Sequence, residues 1–107
     1  MSHNLYSKSV NLNSSIEYSN GSIVSKTIIE KPSGTITLFA FDKGQSLSKH
    51  STPFDALIQV IDGKAEITID EKEYILTKEE VILMPANIPH AVRAIDKFKM
   101  ILTMIKE

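Results

Sequence analysis

The sequence predicts an all-β domain of antiparallel strands, and three observations carry that reading. Short apolar or β-branched runs recur with turn signals between them at intervals of roughly 8–12 residues. No window of helical length shows an apolar stripe of helical period. Residues 65–70 alternate cleanly: Ala65, Ile67 and Ile69 share one face, and Glu66, Thr68 and Asp70 the other. That is the pattern of an antiparallel strand with one buried side.

Taken in order, residues 1–15 are polar and rich in Ser and Asn. They read as an irregular segment or an edge strand ahead of one domain over 16–107. His3, in this segment, reads as solvated. Asn20-Gly21 is a strong hairpin signal, predicting a pair between strands 15–18 and 23–29. Lys31-Pro32-Ser33-Gly34 reads as a turn, with Pro suited to its second position and Gly to its end. Residues 35–41 form the next strand, and Lys43-Gly44 the turn after it. The apolar run 54–61 reads as a buried strand closed by Asp62-Gly63, predicted to be a type I′ hairpin into strand 65–69. Glu71-Lys72 turns, 73–76 is a short strand, 77–80 turns again, and 81–84 is an apolar approach to Pro85. Two prolines limit the loop 86–89 by fixing φ. Strands over 90–95 and 98–105 complete the chain, joined by Asp96-Lys97.

At 107 residues the chain is long enough for one core and too short for two domains. A net charge of −1 with a single arginine, Arg93, and no basic cluster argues against a nucleic-acid partner. Without cysteine there is no disulfide, thiolate metal site or cysteine nucleophile. No run reaches the roughly 18 apolar residues of a membrane span, and MSHNLYSKSV has no apolar core of a secretory leader. The expectation is a soluble cytoplasmic domain with no membrane partner.

The stretch GQSLSKHSTPFDALIQVIDG, residues 44–63, and the stretch PANIPH, residues 85–90, resemble the two motifs of the cupin family. In the first, Gly44, His50 and Gly63 fall at the family positions, whereas Thr52 stands at the second histidine and Ala56 at the glutamate. In the second, Pro85 and His90 match, while Asn87 stands where glycine is usual, Glu79 at the opening glycine and Ala94 at the closing asparagine. The resemblance implies a double-stranded β-helix, or jelly-roll barrel. It also implies a divalent transition metal (Zn, Ni, Mn or Fe) held inside the barrel by three histidines and a glutamate. Carried over residue by residue, only His50 and His90 remain as metal ligands. Thr52 is a poor donor and Ala56 none.

Strand parity puts Ala56, Ile58 and Val60 on one face, and His90, Val92 and Ala94 on another. His50, Thr52 and His90 are therefore the expected polar groups of a small-molecule site, with Ile58, Val60 and Val92 as apolar walls. Phe39, Phe41 and Met84 are further wall candidates. A core simply filled by these side chains is the competing reading. No catalytic residue is assigned, although an imidazole near neutral pH can act as general acid or base. Asp55, one position early, should face the other way. Met100 and Met104 share a face with Phe98 and Leu102, whereas Ile101 and Ile105 occupy the opposite face. A strand apolar on both sides is covered on both. The expected cover is a second subunit, in a homodimer through the outer sheet face with the N-terminal segment crossing over.

Three functions compete. One is a small-molecule binder with weak metal affinity between His50 and His90. Another is a metal-dependent oxygenase or isomerase with a reduced ligand set. The third is a structural dimer with a filled interior.

Overall fold

In the computed structural model, which describes residues 5–107, nine strands form two antiparallel sheets. His3 lies outside the described residues. The strands are β1 (Ile23–Lys31), β2 (Gly34–Phe41), β3 (Ser46–His50), β4 (Asp55–Asp62), β5 (Lys64–Ile69), β6 (Lys72–Thr77), β7 (Val81–Met84), β8 (His90–Ala94) and β9 (Phe98–Ile105). One sheet has the order β1-β2-β9-β4-β7 and the other β3-β8-β5-β6. The only helical element among the described residues is a 3₁₀ turn, Asn13–Ser15.

The two sheets share one core because their inward positions are apolar at period two. On β4, Ala56, Ile58 and Val60 are buried while Asp55 and Gln59 are exposed. These three join Met84, Phe41, Phe98 and Met100 of the same sheet, and Ala65, Ile67, Leu76, Val92 and Ala94 of the other. Phe41 and Phe98 stack with centroids 4.5 Å apart, an arrangement that adds to their area burial.

The chain turn at Asp62-Gly63 departs from the expected hairpin. Asp62 ends β4 in one sheet and Lys64 begins β5 in the other, so the chain crosses between layers. The reason is that both edges of β4 are already occupied, by β9 and β7, leaving no room for β5 beside it. Only Gly63 takes positive φ, +83°, where a type I′ turn would need two such residues. By contrast, the Pro32-Ser33 connection is a two-residue hairpin, with Lys31 opposite Gly34.

Residues 15–18 are not a strand either. Just before them, Asn11 Oδ1 accepts the Ser14 N–H and Ser15 Oγ donates to Asn11 O, so local side-chain bonds hold residues 11–15 in a turn. Asn20-Gly21 does turn the chain, but into β1 from this non-strand segment. The segment lies across the outer face of the five-stranded sheet. Ile16 is buried there against Leu38 and Ala40, with Leu12, Tyr18 and Ile101 around them. Lys26 donates to Ser15 O, Lys99 donates to Asn13 O and sits over the Tyr18 ring, and Tyr18 Oη donates to Asp62 Oδ2 at 2.7 Å. Burial first, and then that carboxylate, raise the Tyr18 pKa well above its usual range. The cover on Ile101 is thus the chain's own segment, whereas Val81, Leu83 and Ile105 on the same face stay exposed.

β3 carries one apolar residue in SLSKH, so no periodicity marks it as a strand. It exists because it pairs with β8 along that sheet's edge. Among the described residues no helix is long and apolar enough to cross a membrane.

Candidate functional site

The two ends of the sandwich differ, and the difference places the site. At one end lie the crossing at Gly63 and the connections 42–45, 78–80 and 95–97. Core residues there, Phe41, Val60, Ala65 and Phe98, have no exposed surface. At the other end lie the loops 51–54 and 85–89 and the turn 70–71. Toward that end the inward side chains of Ile69, Tyr74, Ile82, Leu102 and Met104 are only partly buried against the core, while Ala56, Met84 and His90 beside them are buried. We call that end the mouth.

His50 ends β3 and His90 begins β8, and the two are register partners, next to Ile69 of β5. The pairing brings their rings edge-on, with centroids 4.6 Å apart and planes at 63°. His90 is buried, at 6% exposure, and His50 is exposed, so the pair runs from core to solvent. A register shift between Leu47 and His50 allows this pairing. The loops around the pair are tied together by Asn87 N–H to Thr52 O (2.7 Å), Asp70 N–H to Pro89 O (2.7 Å) and Ala86 N–H to Asp55 Oδ1 (2.9 Å). Asp55 faces away from the core as its parity requires, and acts as a tether for the 85–89 loop. Asn87 takes φ +68°, a conformation Asn tolerates better than other side chains, which accounts for Asn where the motif has Gly.

Both imidazoles hold a backbone carbonyl two residues back. His50 Nδ1 lies 2.8 Å from Ser48 O, and His90 Nδ1 lies 3.3 Å from Ile88 O. A carbonyl oxygen can only accept, so each Nδ1 carries the hydrogen. In the neutral ring, each Nε2 is then a lone-pair acceptor. Burial lowers the His90 pKa; its bond to Ile88 O opposes this and His50 beside it adds to the lowering, so the neutral form is favoured.

The other expected site residues fall as follows. Thr52 is partly buried in the 51–54 loop, where its hydroxyl exchanges hydrogen bonds with the Phe54 backbone at 3.3 Å. Ile58 and Val60 have no exposed surface and Val92 has 3%, so they form packed floor beneath the pair. The partly exposed apolar side chains at the mouth are Ile69, Tyr74, Ile82, Leu102 and Met104, which motif reasoning passed over. Their parity was readable, but which end of each strand stays open was not. Thr35, opposite Met104, has a buried hydroxyl with no hydrogen-bond partner.

The residues present do not fit a four-ligand metal centre. Ala56 is buried without a donor, Thr52 is engaged with backbone, and no group of three or more His, Cys, Asp or Glu gathers among the described residues. Two imidazoles are the donor set.

Residues 37–106 match the family model described as Cupin domain. Among solved structures, the chain is similar to a conserved protein of unknown function from Streptococcus pyogenes, at 36% identity and a TM-score of 0.92, over 95% of this chain and 90% of that one. It is similar to a cupin superfamily protein from Desulfitobacterium hafniense, at 29% identity and a TM-score of 0.89, over 94% and 93%. It is also similar to a cupin 2 conserved barrel domain protein from Leptotrichia buccalis, at 44% identity and a TM-score of 0.88, over 91% of this chain and 47% of that one. The chain thus spans about half the length of this last protein. A comparison with curated proteins found no match.

Proposed function

The chain belongs to the cupin family, and on that premise we propose that it is a small-molecule-binding member that uses the His50–His90 pair itself, not a four-ligand metal, as its polar recognition element. We read the two layers as the family's jelly-roll barrel, with the pair at its mouth. The observation that carries the proposal is the pair's geometry: two rings 4.6 Å apart, at the end where several inward apolar side chains are only partly buried. Apolar walls with a few convergent polar groups describe a ligand site. The fold does not name the chemistry.

A divalent ion would meet only two imidazoles and no carboxylate. We propose that Zn, Ni, Mn or Fe therefore binds at about 100 µM or weaker, roughly 5.5 kcal/mol. The metal-dependent oxygenase or isomerase reading needs the donors that Thr52 and Ala56 do not supply.

A thermal-shift screen of sugars, organic acids and aromatics tests the proposal, since a ligand of the native state raises its stability. At least one compound should raise Tm in the native protein, with the shift lost in His50→Ala. A full panel without a shift, or a shift unaffected by His50→Ala and His90→Ala alike, would overturn it.

A further inference from the structure

We infer that Asn20-Gly21 is a site of spontaneous covalent modification, at which Asn20 converts to isoaspartate, and that the isoaspartyl form releases the N-terminal segment from the outer face of the five-stranded sheet. The site lies at the end of the sandwich opposite the His50–His90 pair and does not depend on the binding proposal above.

The sequence supplies the reactive pair. Asparagine stands at positions 4, 11, 13, 20 and 87, followed by Leu, Leu, Ser, Gly and Ile. The nucleophile for an asparagine side-chain amide is the backbone nitrogen of the next residue, and glycine alone leaves that nitrogen unshielded by a side chain. After Asn13, the Ser14 N–H is already tied to Asn11 Oδ1. The local fold leaves Asn20-Gly21 open. Ser19 O accepts the Ser22 N–H at 3.0 Å, and within this turn only Gly21 takes positive φ, +68°, the type II pattern. Asn20 and Gly21 are both exposed, and a Cβ built on Gly21 would meet nothing within 4 Å, so water reaches the reacting atoms.

The reaction needs only water. Gly21 N gives up its proton to solvent and bonds to Asn20 Cγ, while the Cγ–Nδ2 bond breaks and Nδ2 leaves with that proton's equivalent as ammonia. Water then opens the cyclic imide. Cleavage at Cγ yields aspartate. Cleavage at the main-chain carbonyl carbon of Asn20 yields isoaspartate, whose main chain runs through Cβ and Cγ and is one atom longer. Asp42 restrains the first step. Its Oδ2 accepts the Gly21 N–H at 2.6 Å and its Oδ1 the Lys43 N–H at 2.9 Å. Those two bonds hold its carboxyl below the usual carboxylate range, so it is charged at neutral pH and opposes loss of the Gly21 proton.

The longer chain acts on the segment because the turn joins two fixed points. On one side β1 is held by its ladder to β2, from Ile23 opposite Phe41 to Lys31 opposite Gly34. On the other side Tyr18 is held by its bond to Asp62 Oδ2. An added main-chain atom between them displaces one side. The segment rests on Ile16 and a few side-chain hydrogen bonds, so it yields before the ladder does and uncovers Leu38 and Ala40.

The test ages the full chain at pH 8 and maps it by tandem mass spectrometry. Replacement of NH2 by OH should appear at Asn20 ahead of every other asparagine, with isoaspartate among the products. Hydrogen exchange in residues 12–18 should then lose its protection while β2 keeps its own. Asn20→Asp carries the new charge without the added chain atom, so it should keep the segment protected. Asp42→Asn should speed the reaction at Asn20 roughly fivefold, since a neutral acceptor holds an N–H about half as strongly as a charged one. An Asn20 that stays intact, or that reacts after another asparagine, overturns the assignment of the site. Protection retained in the isoaspartyl protein, or lost equally in Asn20→Asp, overturns the release. An unchanged or slower reaction in Asp42→Asn overturns the restraint assigned to Asp42.

Discussion

Gly63 holds the crossing between the two sheets, and replacing it should damage the fold more than any other single methyl addition in the motif. A Cβ built there would lie 1.8 Å from Lys97 O, 2.7 Å from Phe98 Cα and 2.8 Å from Lys97 C. All three are backbone atoms, so no side chain can swing away. The position also has φ +83°, which costs an L-residue about 1–2 kcal/mol. Relieving the overlap means moving the start of β9, where Phe98 stacks on Phe41 and both are fully buried. Overpacking of this kind costs typically about 1–3 kcal/mol, which puts the Gly63→Ala total at about 2–5 kcal/mol. Against a whole-domain stability of about 5–15 kcal/mol that is a large fraction. Gly44→Ala is the internal control. It has the same φ of +83° but nothing within 4 Å, so only the backbone cost of about 1–2 kcal/mol applies. With a urea slope of about 1.5 kcal/mol/M, Gly63→Ala should move the midpoint down by about 1.3–3.3 M and Gly44→Ala by about 0.7–1.3 M, the gap between the two being the steric part. Equal shifts for the two variants would refute the steric argument and leave only a conformational one.

Other perturbations test separate parts of the molecule. Tyr18→Phe removes the hydroxyl that binds Asp62 Oδ2 and should cost about 1–2 kcal/mol in urea melts, with hydrogen exchange rising first in residues 12–18; unchanged exchange there would show that the segment is not held by this bond. His90 has a folded-state pKa below its usual value of 6.5, so the unfolded chain binds the extra proton. Stability should therefore be fully present above about pH 6.5 and fall as pH drops below it; His90→Asn should flatten that slope in Tm measurements, and an unaltered slope would assign it elsewhere. Val81, Leu83 and Ile105 leave the outer face of the five-stranded sheet exposed at 54%, 66% and 60%. We propose that this face forms the homodimer. Light scattering should give a dimer mass for the native chain and a monomer for Leu83→Glu, and a native monomer near 12 kDa at micromolar concentration would remove the proposal.

The strands were legible wherever burial follows a period of two. Phe98–Ile105 and Val81–Met84 sit at their expected bounds because their apolar residues are dense and a polar or proline residue stops each run. The parity of Ala56, Ile58 and Val60, and the outward turn of Asp55, followed from the same alternation. β3 was not legible in that way, since one leucine among serines, lysine and histidine sets no pattern, and its place comes from pairing with β8. The contact between His50 and His90 needs two strands distant in the chain to adopt one register, and the motif spacing anticipated the pair without giving its 4.6 Å separation or its tautomers.

What the amino-acid order settled on its own was local: which residues are extended, which side of each strand is apolar, and which family motifs lost their metal donors at Thr52 and Ala56. Long-range packing decided the rest. Asp62-Gly63 looks like a hairpin in isolation and becomes a crossing because β4 has no free edge. Residues 12–18 resemble a strand or a loose end and become a cover for Leu38 and Ala40 because two lysines and a tyrosine find partners there. Those outcomes depend on what neighbouring layers leave unoccupied, a quantity that no stretch of sequence contains.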